Sequence, residues 1–535
     1  MSGARRTMAV AGAIWTVTLL LSRAIGVLRE SVLGATLGMS SAADVYAAAF
    51  RVPDLFAYVV SGGALSILFI PMFTGHLQAG NPERAWRAFS VVANFLALLL
   101  AVVTPLAWWA MPMLAPRLAP GFAPEDAALL VTLSRIVLPA QVFHILGGLL
   151  SAVLLARDRH ALPAVAPLVY TLCIILGGWL TGTAEGFAWG VLVGAAAGPF
   201  GVPLVGVLRS PDVRWTPVVS WRDPDLRTYL ARSLPIMLGF SIVSVDDTAW
   251  TAFASRLGEG EVAMLNYAKT LMKVPMGVFG MAMGYAAYPT LARLVAEGRP
   301  AEARDTLAVA TRRALLLAFA SQVALTVAGP ELAVVVLGTA RIPVGRMDEL
   351  GVCLGLFSLG LGGWTAQTLL ARGFYARGRT WLPTWLGFGV LIAALPVYAL
   401  LGSRFGTPGL AAASSVAILT YTLLLGWRSD VEFRRAIAGA GGDTPPATPS
   451  PSALGGFLLR AIPATAVGIA AGLATRTLLP PLDGTRLQAL IRIATLGAVA
   501  GPTWLLAAWA LRVPDLDAVV GMLRRRLPRR ASRPA

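Results

Sequence analysis

Charge, lysine, histidine and cysteine are all scarce in this sequence, and each scarcity removes a class of function. Only 13% of the 535 residues are charged, about half the share usual in a soluble domain. The three histidines (His76, His144, His160) are dispersed, and the two cysteines, Cys173 and Cys353, sit far apart inside apolar stretches. No His/Cys cluster offers a metal site, and two buried free thiols are a simpler reading than a disulfide. No Gly-rich nucleotide loop of the P-loop type and no soluble catalytic domain can be placed. The chain is expected to be no enzyme, to carry no cofactor or metal, and not to be driven by ATP.

What is present is apolar. Hydrophobic residues make up 56% of the chain and the mean hydropathy is +0.70. Runs of about 20 apolar residues, long enough to cross a hydrocarbon core, recur from Met8 almost to Arg512. Long runs mean helices, because barrel strands would alternate over short segments. The fold class is an all-α polytopic membrane protein of about 14 transmembrane helices. The first run follows Arg5 and Arg6 as in a signal peptide, but Arg23 and Arg29 follow with no small-residue cleavage site, so an uncleaved first helix is expected.

The expected helices run over Met8 to Leu37 and Asp44 to Phe73, then around Leu98, Ile145, Leu172 and Gly194. Six more centre on Gly239, Gly280, Ala320, Gly360, Leu391 and Ile418, and a last pair covers Gly455 to Leu479 and Leu487 to Leu511. The net charge of +17 lies largely in alternate loops and the tail: Arg84 and Arg87, Arg157 and Arg159, Arg209 to Arg227, Arg293 to Arg304, Arg372 to Arg379, Arg428 to Arg435, and Arg524 to Arg533. Orientation in a membrane explains that excess without any nucleic-acid partner, and it places both termini in the cytoplasm.

Two motifs repeat in nearly one register. Ala156 to Pro163 (ARDRHALP) echoes Ala376 to Pro383 (ARGRTWLP), and Phe50-Arg51-Val52-Pro53 echoes Met272-Lys273-Val274-Pro275. Six helices per repeat give both copies the same orientation, which is a parallel repeat. The expected divisions are an N-terminal six-helix lobe (1–209), a second lobe (210–430), a cytoplasmic linker (431–453), an extra helix pair (454–512) and a basic cytoplasmic tail (513–535). The linker contains the Gly/Pro/Ser-rich run Ala438 to Ser452.

Charges inside membrane helices cost roughly 2.5–3.5 kcal/mol each and mark cavities or partners. Here they concentrate in the first two helices of each half: Arg23, Arg29, Glu30, Asp44, Arg51 and Asp54, then Arg232, Asp246, Asp247, Lys269 and Lys273. Of the 44 Lys and Arg, only Lys269 and Lys273 are lysine. One turn apart, they share a helix face and either line a cavity around an anion, pair with Asp246, Asp247 or Glu261, or snorkel to an interface. Arg29 either faces the cavity or pairs with Glu30. Asp44 either faces it or caps the second helix. Asp246 and Asp247 either bind a coupling ion or proton, or balance the lysines. Gly26, Pro53, Gly62, Gly63, Pro275 and Gly277 read as hinges or as ordinary packing positions. Guanidinium and ammonium groups in an apolar protein suit an amphipathic anion with phosphates in its head group.

The sequence resembles the MurJ (MviN) family of lipid II flippases, within the superfamily of multidrug and polysaccharide exporters. The resemblance rests on Ser22-Arg23-Ala24-Ile25-Gly26-Val27-Leu28-Arg29-Glu30, on Ala43-Asp44 through Arg51-Val52-Pro53-Asp54, and on Gly63-Ala64-Leu65-Ser66 with Phe69-Ile70-Pro71. Leu265-Asn266-Tyr267-Ala268, Val274 to Phe279 and Phe374 to Pro383 extend it over essentially the whole chain. It implies alternating-access transport of undecaprenyl-diphosphate-linked peptidoglycan precursor to the outer leaflet. It also implies a cationic cavity for the head group, with Arg23, Arg29 and Asp44 as charges of interest, and a lipid-tail groove at the last helix pair. Membrane lipids and cell-wall synthesis proteins would be its partners. The chain departs from the pattern at Gly62, where an acid is usual, at Ala57 and Tyr58, where Arg is common, and at Thr270. Its eleventh helix lacks the Asn and Asp of the family's sodium site. A flippase for another polyprenyl-linked glycan, a multidrug/cation antiporter and a transport-inactive cell-wall scaffold are the alternatives.

Overall fold

The computed structural model describes residues 21–22, 24–61, 68–210, 212–338, 340–439, 452–517 and 521. Arg23, Gly62 and Gly63 lie outside them. Every regular element among the described residues is helical. In order these are α1 (24–36), α2 (Ser41–Ala49), α3 (Arg51–Ser61), α4 (Ile70–Gln78), α5 (Pro82–Leu118), α6 (Pro124–Val137), α7 (Ala140–Ala156), α8 (Ala161–Thr181), α9 (Ala184–Ala195) and α10 (Val202–Leu208). Then come α11 (Pro224–Ala254), α12 (Glu261–Pro275), α13 (Ala282–Ala296), α14 (Pro300–Val327), α15 (Gly329–Leu337), α16 (Val344–Leu359), α17 (Leu361–Ala376), α18 (Trp381–Gly439), α19 (Ser452–Thr477) and α20 (Arg486–Ala510).

Ten helical stretches among the described residues are long and apolar enough to cross a membrane. One of them, α18, has 59 residues and bends at Gly406, whose φ of 61° no helix interior adopts, so it stands where two spans were expected. The expected first, second and eighth spans are not among the ten, so the described helices do not by themselves fix the number at fourteen.

Local chemistry sets the helix ends. Asn81, Thr183, Asp223 and Thr485 each accept a backbone N–H of the first turn they precede, and Pro82 and Pro224 follow two of these caps. Proline also sets the breaks. Its ring clashes with the carbonyl four residues back, so Pro53 interrupts the second span at Phe50, between α2 and α3. Pro275 ends α12 and is followed by a π-helical turn, Met276–Met281, that holds Gly277. A second π turn, Ala196–Gly201, contains Pro199.

The chain forms two compact units. One comprises the chain up to Tyr267 with Val336–Pro343 and Gly387–Leu410; the other comprises Ala268–Val335, Val344–Leu386 and the chain from Ala411 on. The first unit's core joins Phe69, Phe73, Trp86 and Phe89 to Ile145, Leu149 and Val153 of α7 and to Tyr229 and Met237 of α11. In the same unit α8 and α9 cross closely because Gly186, Gly190, Gly194 and Gly198 recur every four residues. A Cβ on Gly190 would lie 2.6 Å from the Cys173 carbonyl oxygen, and one on Gly194 2.7 Å from that of Tyr170. In the second unit α14 packs against both α19 and α20.

The repeat is visible in the backbone. After α7, the N–H groups of Arg157 and Arg159 both donate to Leu154 O (3.1 and 2.9 Å); after α17, those of Arg377 and Arg379 both donate to Phe374 O (3.1 and 3.0 Å). Each turn contains one left-handed residue, Asp158 at φ 58° and Gly378 at φ 72°. Arg157 then pairs with Asp212 and Arg377 with Glu432, each 55 residues further on. Each guanidinium also lies over an aromatic ring, Trp86 and Phe433 respectively.

Candidate functional site

The charged residues singled out in the membrane helices are mostly engaged, and their partners come from far along the chain. Asp44 is buried in α2, and its carboxylate accepts the Gly260 and Ala263 amides, both at 2.6 Å. It therefore caps α12, 216 residues away, while Ser40 caps α2 itself. Free N–H groups and the positive end of the helix dipole make that a favourable seat for a carboxylate. Nearby, the Tyr267 hydroxyl donates to Gly38 O at 3.0 Å, and Ser41 N–H donates to Glu259 at 3.0 Å.

Arg51, 4% exposed, stands at the start of α3 against α11. Its Nε donates to Thr251 Oγ1 (2.9 Å) and its Nη2 to Asn266 Oδ1 (3.2 Å). The guanidinium stacks 4.6 Å from the Trp250 ring centroid and lies 3.9 Å from Asp247. Asp247 also accepts the Trp250 indole N–H at 3.2 Å. Thr251, Asn266 and Trp250 were not singled out as site residues. Their distance in sequence from Arg51 leaves no local signal, although Asn266 stands in one of the family-like motifs.

Asp246 accepts a hydrogen bond from the buried hydroxyl of Tyr398, and Tyr398 stacks on Phe253 with centroids 6.2 Å apart. Glu261 likewise accepts from Thr407. Arg29 donates from Nε to Glu30 Oε1 at 3.1 Å and pairs with it again through Nη2; Glu30 is buried, and Arg29 keeps a third of its side chain exposed.

In the second unit Lys269 is 2% exposed, with its Nζ 5.6 Å from the Phe357 ring and 5.4 Å from the Trp364 ring. Lys273, one turn on, is half-buried. The structure thus joins Asp44 to α12 and Arg51 to Asp247, and it sets Lys269 among aromatic rings. Gly26 is helical with open space around it, Pro53 is buried in α3, Pro275 precedes the π turn and Gly277 lies within it.

A buried charge cluster that the sequence did not suggest lies on the C-terminal helix pair. Glu331 of α15, fully buried, accepts from Arg492 of α20 at 2.9 Å, and Arg492 also donates to the Pro480 carbonyl. Arg476 of α19 lies 3.8 Å from Glu331 and donates to Asp348 at 2.8 Å. These pairs tie the last two helices to α15 and α16.

A family model described as lipid II flippase MurJ matches residues 33–442. The lipid II flippase MurJ of Burkholderia cenocepacia is 28% identical over 76% of this chain and 80% of its own length. The probable lipid II flippase MurJ of Rhizobium tropici is 30% identical over 68% of this chain and 69% of its own. A solved lipid II flippase MurJ in an inward closed conformation superposes with a TM-score of 0.70 at 17% identity, covering 94% of this chain and 99% of that one. An inward-facing multidrug transporter of the MATE family superposes with a TM-score of 0.67 at 12% identity over 80% of this chain and 99% of that one. The structural likenesses show a shared all-helical fold. The match of the family model over most of the chain shows more: the chain belongs to the lipid II flippase MurJ family.

Proposed function

We propose that this protein is a lipid II flippase, a transporter that carries the polyprenyl-diphosphate-linked peptidoglycan precursor from one leaflet to the other and makes or breaks no covalent bond. The observation that carries this is the family match over residues 33–442, supported by curated relatives aligned over most of their own length. The likeness to multidrug transporters is one of fold and favours no second substrate.

The finer parts of the reading follow from chemistry. The protein resides in a bacterial inner membrane with both termini cytoplasmic, as the alternation of Arg-rich loops implies. Its organisation is two six-helix lobes (1–209 and 210–430), a linker (431–453), a helix pair (454–512) that receives the lipid tail, and a basic tail (513–535). Arg23, Arg29, Lys269 and Lys273 receive the diphosphate. Asp44 and Arg51 serve the same site through the geometry they hold, since their polar atoms are already bonded to α12 and α11. Asp247 balances Arg51, and Asp246 with Tyr398 is the better-placed carboxylate for coupling. The breaks at Pro53 and Pro275, with Gly26, Gly62, Gly63 and Gly277, bend during the cycle. Cell-wall synthesis proteins are its partners, because lipid II is consumed where it emerges.

The test is rescue of a bacterium depleted of its own lipid II flippase, with externally accessible lipid II measured in the same cells. Restored growth together with restored outer-leaflet lipid II is the expected result. Normal membrane levels of the protein with neither restored would overturn the reading.

A further inference from the structure

Between α13 and α14 the second unit has an open cavity of about 460 Å³. Its apolar wall is Met283 and Ala287 from α13 with Val309 and Ala310 from α14, and its polar members are Asp305, Thr306 and Arg313. That volume lies within the range of small-molecule sites.

The charge balance beside the cavity is uneven. Arg312 and Arg313 share a single carboxylate just beyond α20: Arg312 Nε lies 2.7 Å from Asp515 Oδ2, whereas Arg313 Nε lies 3.5 Å from Oδ1. The Arg313 Nε is buried and makes no hydrogen bond among the described residues. Two guanidiniums and one carboxylate leave a positive charge at the cavity rim. Asp305, the cavity's other charged residue, lies two helical turns away along α14, about 12 Å. The first turns of α14 hold Arg304 and follow Arg293 and Arg299, which places the cavity near the basic side of the membrane, at one of its two layers of head-group phosphates.

We propose that this cavity binds a membrane phospholipid distinct from the transported lipid. The phosphate takes the Arg313 guanidinium, whose side chain is only partly buried, and one acyl chain lies along Met283, Ala287, Val309 and Ala310. A guanidinium partly released from its carboxylate matches a phosphate oxygen, and the apolar wall matches a chain that would otherwise stay among its neighbours in the bilayer. Asp515 is then the internal competitor for Arg313, so the site is tuned by the segment that follows α20.

The experiment titrates phosphatidylglycerol into the purified full chain in detergent and counts bound lipid by native mass spectrometry. Arg313→Gln should weaken binding about tenfold, the loss of one charge-assisted contact. Asp515→Asn should tighten it, because the competing carboxylate is gone. A purely structural role for the cluster predicts instead that both changes weaken binding together. Unchanged binding in Arg313→Gln, or weaker binding in Asp515→Asn, overturns the proposal. So does displacement of phosphatidylglycerol by equimolar undecaprenyl phosphate, which would assign the cavity to the path of the transported lipid.

Discussion

Single side chains here are held by partners that sequence spacing could not reveal. Asp44 is the clearest case. Capping its own helix was the local option, but Ser40 fills that role and the carboxylate reaches the start of α12 instead. Replacing Asp44 with Ala should therefore cost about 1–2 kcal/mol, read as a lower melting temperature of the purified protein, and Asn should recover part of it. Equal melting of Asp44→Ala and the parent would show that the cap carries no energy. Arg29 is the opposite case, because its partner Glu30 is its neighbour and pairing was one of two readings available from sequence. Outside the membrane, the Arg157 guanidinium bonded to Asp212 holds that carboxyl below its ordinary range. A depressed folded value means the pair's stabilisation is present above the unfolded carboxyl pKa, near 4, and fades as pH falls through the folded value. Asp212→Asn should thus narrow the stability gap to the parent only below about pH 4, as followed by acid unfolding. A gap that closes between pH 7 and 5 would contradict the assignment.

At the scale of elements, apolar length was legible because it answers to the membrane rather than to tertiary partners. The breaks were partly legible. Pro53 marked the second span, yet the interruption falls at Phe50, since proline disturbs the turn before it. The π turn after Pro275 and the bend at Gly406 depend on backbone geometry that composition does not state. Close helix crossings were also hidden, because a glycine spaced for packing looks like any other. Two substitutions separate these cases. Gly190→Ala would set a methyl 2.6 Å from the Cys173 carbonyl, forcing α8 and α9 apart, whereas Gly497 in α20 has open space around it. The first should lower folded yield and melting temperature. The second should be neutral or stabilising by up to about 1 kcal/mol, the ordinary gain of alanine over glycine in a helix. Fluorescence size-exclusion profiles over a temperature series give both values, and similar behaviour of the two variants would contradict the crossing.

For the whole molecule, duplication was readable from two short echoes and is borne out where the sequence has diverged. Gly378 stands where the first half has Asp158 and Glu432 where it has Asp212, but the left-handed turn and the Arg-carboxylate pair occur in both halves. Divergence that preserves a pair marks what each half needs to fold. Divergence that breaks the symmetry marks what the protein does with the two halves together. Arg51 and Lys273 occupy matching places in the two echoes, yet Arg51 is bound to Thr251, Asn266 and Trp250, while Lys273 and its neighbour Lys269 are the chain's only lysines. Lysine is a mobile point charge suited to a ligand that arrives and leaves, whereas a forked arginine suits a fixed partner. The transport step should therefore depend on the lysines more than folding does. Changing both Lys269 and Lys273 to Ala should leave the protein in the membrane at normal level while abolishing rescue and outer-leaflet lipid II. Arg51→Ala should instead lower the amount of folded protein, because it removes a buried guanidinium that bonds Thr251 and Asn266 and offsets the charge of Asp247. Full transport by a normally expressed double-lysine variant would remove the lysines from the substrate path and leave Arg23 and Arg29 as the cations to test next.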